Sequence, residues 1–250
     1  MKRINVLVAG ILVCMMTGPL QARDATDIIR DAINHWRGVS SVAELTMIIH
    51  RPDWQRSMSM KSWTLGEKQS LVRITAPAKD RGNGTLIDGD RMWSYSPKVN
   101  RVIKIPPSMM GQSWMGSDFS NKDISRTDEI VEQYHHTLLS EGELDGVKTY
   151  QIESIPHEDS AVVWGREVLV IREDSVMISH HFYDQEGLLV KYMETLEFGE
   201  MGGRSLALRQ RMQKVDHEGE WTEMSVDWIE FNVDLGRQLF TLSNLRNPRT

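Results

Sequence analysis

Gly84-Thr85-Leu86-Ile87-Asp88-Gly89-Asp90-Arg91-Met92-Trp93-Ser94-Tyr95-Ser96 decides the fold class. Two short runs rich in apolar and aromatic residues flank Asp88-Gly89-Asp90, and an Asp-Gly pair supplies the turn chemistry of a tight hairpin. The same unit repeats outward in both directions. Residues 41–51, 54–65, 69–76, 84–88, 91–96 and 99–105 read as strands, followed by 134–142, 147–155, 162–172, 175–184, 188–199, 204–216 and 221–232. Asp145-Gly146, Glu173-Asp174, 184–187, Gly202-Gly203 and His217-Glu218-Gly219 supply the turns between the later ones. Strands about ten residues apart, joined by polar turns, predict an antiparallel meander. No strand–helix alternation runs through the chain, which excludes a doubly wound α/β sheet.

Alternation along the strands is incomplete. Val176, Ile178 and Phe182 share one face, with Met177 and Tyr183 on the other. Met224, Val226 and Trp228 share a face, and Ile229, Phe231 and Val233 mark a change of phase. Apolar residues on both faces predict a strongly curved, partly covered sheet, with bulges where the phase slips. Residues 26–36 supply one cover, an amphipathic helix with Ile28, Ile29, Ala32, Ile33 and Trp36 on one face. Asp24 or Thr26 caps its start and Gly38 ends it. The one interruption of the β pattern is 106–128, rich in Met, Trp, Gly and Ser, with Ser120 or Asn121 capping a short helix near Asp123.

Residues 1–22 read as a cleavable signal peptide. Lys2 and Arg3 precede an apolar stretch at 6–16, Gly18-Pro19 breaks it, and Ala22 offers a small residue for cleavage. An uncleaved anchor helix is the other reading, although the apolar stretch is short for a bilayer. Cys14, the single cysteine, follows Val13 and precedes Met15-Met16, which is a poor context for acylation. Cleavage after Ala22 takes the formal charge from −6 to −8, because Lys2 and Arg3 leave, and it leaves no cysteine. Residues 23–250 then read as one secreted domain held by burial alone, without disulfides, thiol chemistry or zinc–cysteine sites. A periplasm suits such a chain. Its negative charge argues against nucleic acid, which demands clustered Lys and Arg.

No motif carries catalysis. Gly111-Gln112-Ser113-Trp114-Met115 lacks the second glycine and the strand–helix setting of a hydrolase elbow, and Gly82-Asn83-Gly84-Thr85 lacks the lysine of a phosphate loop. His135-His136 and His180-His181 are neighbours on strands, so each pair points to opposite faces and cannot share a metal ion. No zinc spacing, metal or cofactor is implied. What stands out is apolar loading, with 15 Met and 8 Trp. Met58, Met60 and Trp63 lie on one hairpin and Met92, Trp93 and Tyr95 on another. Met109, Met110, Trp114, Met115 and Phe119 lie in the interrupting loop. Methionine adapts to variable apolar partners, and a surface loop has no structural need to be so apolar. Core filling explains any single one of these residues equally well.

Arg81-Gly82-x-Gly84-x-Leu86, the run from Asp88 through Trp93-Ser94-Tyr95-Ser96-Pro97, Arg101-Val102-Ile103-Lys104-Ile105-Pro106-Pro107-Ser108-Met109-Met110 and Ser113-Trp114-Met115-Gly116-Ser117-Asp118-Phe119-Ser120 resemble the LolA-like outer-membrane lipoprotein-sorting protein family of Gram-negative bacteria. The resemblance is dense over 70–125 and looser over the rest. It implies a mainly β fold, a half-open antiparallel barrel of about eleven strands covered by an N-terminal helix and a helical or loop lid. It further implies a non-enzymatic periplasmic carrier of lipoprotein acyl chains or lipid toward the outer membrane, associated with an inner-membrane exporter of the resistance-nodulation-division type. Its ligand cavity and lid would be formed by Met58, Met60, Trp63, Trp93, Tyr95, Met109, Met110, Trp114, Met115 and Phe119. Loop 109–119 would form part of the cover, and Trp93 and Tyr95 part of the lining. The missing acylation site argues for a carrier rather than an anchored receptor; a monomer is expected, and the negative charge leaves no nucleic-acid partner. A ligand-free scaffold subunit of an export assembly and a periplasmic lipid or glycan hydrolase remain the rival readings. An integral outer-membrane barrel fits less well, given the phase slips and the polar end Asn247-Pro248-Arg249-Thr250.

Overall fold

The hairpin periodicity is realised as one antiparallel sheet. A computed structural model describes residues 23–125, 128–160 and 162–248, so the signal peptide read at 1–22, with Cys14, lies outside the described residues. The strands are β1 (Ser40–Arg51), β2 (Trp54–Leu65), β3 (Gln69–Ala76), β4 (Gly84–Asp88), β5 (Arg91–Ser96), β6 (Arg101–Ile105), β7 (Tyr134–Leu144), β8 (Val147–Pro156), β9 (Arg166–Arg172), β10 (Met177–Tyr183), β11 (Leu189–Met201), β12 (Arg204–Lys214) and β13 (Trp221–Phe231). Each of the thirteen corresponds to a segment read from turn chemistry. The count exceeds the eleven or so implied by the family resemblance. Strand order is β6-β5-β4-β3-β2-β1-β13-β12-β11-β10-β9-β8-β7, so β6 and β7 are free edges and the sheet does not close. Only the β1–β13 pairing departs from a plain meander, joining the two ends of the described strands into one curved surface.

Bulges locate the phase slips. Between β1 and β13 the register shifts at Glu44/Leu45, so Met224, Val226 and Ile229 reach the concave side. Trp228, expected on the face of Met224, is 41% exposed instead. A second bulge between Met177 and Ser179 puts Met177 beside Val176 on the concave wall, which corrects its assignment to the opposite face.

Helix α1 (Ala25–Arg37) starts at Asp24, whose carboxylate accepts the Thr26 amide at 2.7 Å, and ends at Gly38, where φ is +65°. Ile28, Ile29 and Ala32 are buried on the concave side of β7–β9 against Tyr150, Ile152, Leu169 and Ile171. Trp36, read as part of that stripe, is 38% exposed at the end of the helix. A strap then crosses the concave side from β6 to β7. It contains a 3₁₀ turn at Pro107–Met109, α2 (Asn121–Ser125) and α3 (Glu129–Gln133). Ser120 and Asp123 form a reciprocal capping box, each backbone amide bonding the other's side chain at 2.7 and 3.1 Å.

The convex face of β2–β5 is covered as well. After β13 the chain makes a 3₁₀ turn at Arg237–Leu239 and α4 (Leu242–Arg246). Phe240 and Leu245 are buried there against Leu71, Leu86 and Tyr95, with Trp63 and Trp93 packed alongside. Arg73, its pKa lowered by burial, donates to the Asn244 and Leu245 carbonyls at 2.8 and 3.3 Å and so holds the end of α4.

Candidate apolar cavity

Concave sheet, α1 and strap enclose a cavity of about 400 Å³, within the range of roughly 300–1,000 Å³ typical of small-molecule sites. Its wall on β2–β4 carries Met60, Val72 and Ile87, and its wall on β9–β13 carries Leu169, Phe182, Met193, Met212 and Met224. Trp36 and Glu67 belong to the lining and are exposed, which puts the mouth between the end of α1 and the β2–β3 turn.

Strand alternation sorts the ten expected site residues. Met60, Trp114 and Phe119 line the cavity. Met58 and Met110 are buried in the layer behind it, next to Met47, Ile74 and Met92, and Met115 packs on that layer. Met109 lies in the 3₁₀ turn where the strap leaves β6. Trp63, Trp93 and Tyr95 do not line the cavity, and that expectation is corrected. On β2 and β5 they alternate with inward-facing Met60 and Met92, so they point to the convex face and meet the C-terminal segment. Sequence reading missed the β9–β13 lining altogether, although Met193, Met212 and Met224 share the excess of methionine that drew attention to the hairpins.

The strap is pinned on both sides of the cavity. Trp114 is 3% exposed, and its Nε1–H donates to the Thr85 hydroxyl on β4 at 3.0 Å. Across the sheet, Asp118 accepts two bonds from the Arg51 guanidinium at 3.0 and 3.1 Å and one from the Thr222 hydroxyl at 2.6 Å. Met115 and Gly116 adopt positive φ, 54° and 80°, to turn the chain between these anchors. Further along, Lys191 on β11 pairs with Asp123 of α2 at 2.6 Å while lying over the rings of Phe182 and Trp164. Lys122 pairs with Glu129 at 2.5 Å, joining α2 to α3.

The histidine pairs split between faces as neighbours on a strand must. His180 reaches into the cavity wall and bonds Glu167 at 2.5 Å, while His181 meets Tyr192 edge-on. His136 meets the Ser154 hydroxyl at 2.8 Å, while His135 packs on His157. Among the described residues, no group of three or more His, Cys, Asp or Glu is arranged to hold a metal ion. Burial lowers the His136 pKa below that of an ordinary imidazole, with the Asp24 charge acting in the opposite sense. The folded state therefore binds this proton less readily than the unfolded chain. The stabilisation is complete above the unfolded value of about 6.5 and is lost as pH falls through it toward the folded value. His181 shifts in the same direction through burial. The denaturation midpoint should therefore drop between pH 7.5 and 5.5, and by less in His136→Gln. Urea titrations of both proteins at the two pH values check this, and equal drops would remove His136 from the account.

Comparison with known proteins places this architecture. Over 88% of this chain and 97% of the other, the fold matches a DUF1329 family protein from Desulfovibrio piger with a TM-score of 0.79 and 25% identity. It matches a structure described as an outer membrane lipoprotein-sorting protein domain from Vibrio parahaemolyticus with a TM-score of 0.78 and 21% identity, covering 89% and 98%. A LolA superfamily protein from Nitrosomonas europaea aligns with a TM-score of 0.72 and 23% identity, covering 88% and 98%. The sheet, helix and strap thus form a LolA-like half-barrel. A family model carrying the description of an uncharacterized protein matches residues 66–247, and the chain belongs to that family. No curated protein matches the chain.

Proposed function

We propose that this protein is a non-catalytic periplasmic carrier that holds an acyl chain of a lipoprotein or lipid in the cavity and moves it toward the outer membrane. The observation that carries the proposal is the cavity itself, bounded on three sides by separate elements and lined on both walls by methionine and aliphatic residues. Each buried CH₂ of a ligand gains about 0.8 kcal/mol, so an acyl chain inside binds without any polar contact. Flexible methionine tolerates chains of differing length and shape. The lipoprotein-sorting description of the Vibrio parahaemolyticus structure supports the same reading. In this proposal residues 1–22 direct export and are removed, residues 23–250 act as one monomeric domain, and an inner-membrane exporter of the resistance-nodulation-division type is the partner.

Ser62 offers the cleanest test, because it is half-buried in the lining between Met60 and Thr64 on β2. An indole there occupies the ligand's space without disturbing a fully buried position. Ser62→Trp should keep the wild-type circular dichroism and lower the affinity for N-phenyl-1-naphthylamine at least tenfold. Undiminished binding would place the apolar site elsewhere. Mass spectrometry of organic extracts from protein purified from the periplasm should detect acyl chains in wild type and not in Ser62→Trp.

A further inference from the structure

The two cavity walls differ in chemistry. On the β2–β5 side the strand residues of the lining are Met60, Val72 and Ile87 with the uncharged Ser62, Thr64, Gln69 and Ser70, and the layer behind them is methionine and aliphatic. On the β7–β10 side the lining includes Tyr134, Glu167 and His180. The Glu167 side chain is 6% exposed; it accepts from His180 Nε2 at 2.5 Å and lies near the Tyr134 phenol, adding to the upward pKa shift that burial gives that group. His180 is itself stacked on Phe182, ring centroids 4.0 Å apart. A site for bare hydrocarbon has no use for such a group. Burying a carboxylate is costly unless it is paired, and leucine at position 167 would avoid that cost.

Resting on the carrier reading, we infer that the ligand is an acyl chain bearing a hydrogen-bond donor, a hydroxyl or amide N–H, and that Glu167 receives it. A carboxylate accepts about four hydrogen bonds in all. His180 uses part of that capacity, and Glu167 belongs to the cavity lining. His180 orients the carboxylate from β10, and Tyr134 of β7 lies beside it. Phe182 and Leu169 belong to the same part of the lining, so a donor on the ligand meets a buried acceptor, and hydrogen bonds there are stronger than in water. The arrangement also staples three strands together. A purely stapling role predicts lost stability in variants but no discrimination between ligands.

Methyl 3-hydroxytetradecanoate and methyl tetradecanoate differ only in the hydroxyl and serve as the probes, each displacing N-phenyl-1-naphthylamine from the full mature chain. Wild type should bind the hydroxylated ester about tenfold more tightly, equivalent to about 1.4 kcal/mol. In Glu167→Gln, which keeps the side-chain size, the ratio of the two affinities should shrink to threefold or less, and that ratio is the readout because any effect on packing is common to both esters. Glu167→Leu should abolish the preference; should it fold poorly, the wild-type ratio and Glu167→Gln decide. Equal binding of both esters by wild type overturns the inference and leaves the carrier reading standing. A preference retained in Glu167→Gln also overturns it. Binding of neither ester defeats the carrier reading itself.

Discussion

A chain ending at Val233 should fail to yield a soluble, folded domain. Residues 234–246 supply the cover for the convex face of β2–β5, and within them Phe240 and Leu245 are 4% and 0% exposed. Burying two such side chains is worth about 3–6 kcal/mol at the usual 1.5–3 kcal/mol each. The truncation also uncovers Leu71, Leu86 and Tyr95 and the half-buried Trp63 and Trp93, a contiguous apolar patch beside the free edge of β6. Domains are stable by only about 5–15 kcal/mol, so the total loss is comparable with the whole. Soluble yield and the urea midpoint are the measurements. A milder form, Leu245→Ala, should fold and lower stability by about 2–5 kcal/mol. A truncated chain that stays monomeric with an unchanged midpoint would show that this face needs no cover.

This cover explains why the tryptophans of the hairpins misled as ligand contacts. Apolar side chains on both faces of the sheet were legible from the broken alternation, and so was the existence of a cover. Nothing local says which cover belongs to which face. Trp63 and Trp93 sit one residue out of phase with Met60, Ser62 and Met92, and that phase alone assigns them to the convex side. Their partners lie more than 130 residues away, in a C-terminal stretch whose polar end concealed Phe240 and Leu245. Hairpins, by contrast, are local. Asp-Gly and Gly-Gly pairs place a turn by their own conformational preferences, and with the other polar turns and the apolar runs between them they marked thirteen strands. The strap was legible as a break in the β pattern, and a short helix near Asp123 as a start at Ser120 or Asn121; the reciprocal box between Ser120 and Asp123 was not. The anchors at Thr85, Arg51 and Thr222 were not, because long-range polar pairs leave no periodic trace. The ionisable station at Tyr134, Glu167 and His180 was missed for the same reason, since each member read singly as an ordinary strand residue.

Pinning has a functional consequence. A carrier needs a cover that opens, yet this strap is held by a buried carboxylate–guanidinium pair on one side and a buried indole on the other. Beyond Asp118, Arg51 pairs with Glu220 at 3.2 Å and donates to the His50 and Trp221 carbonyls at 2.7 and 3.3 Å, so it keeps partners if Asp118 withdraws. Trp114 has no equivalent fallback, because its ring is buried among Met47, Met58 and Met92 and its N–H bonds Thr85. In the carrier proposed above, the indole is the anchor whose release would let the strap lift.

Trp114→Ala should cost about 3–5 kcal/mol, the usual range for removing a buried large aromatic side chain, and the loss should be local. The strap's own hydrogen bonds report it: the Trp114 amide to the Phe119 carbonyl at 2.8 Å, Asn121 to Gln112 at 2.9 Å and Lys122 to Met110 at 2.8 Å. In the variant these amides should exchange with solvent about a hundredfold faster or more, since each 1.4 kcal/mol of lost opening free energy is a factor of ten. Amides of β1, β2 and β13 should stay protected, because their backbone ladders do not depend on the indole. Trp114→Phe keeps most of the burial but leaves the buried Thr85 hydroxyl without its donor, so it should cost about 1–3 kcal/mol, less than Trp114→Ala. Hydrogen exchange read by mass spectrometry separates the outcomes. If the strands of the sheet lose protection together with the strap, residues 106–125 are part of the cooperative core and cannot act as a cover that opens for a ligand. If only the strap loosens, faster loading and release of N-phenyl-1-naphthylamine by the same variant would show that ligand passes beneath the strap, and unchanged rates would show that it enters by the mouth beside the end of α1.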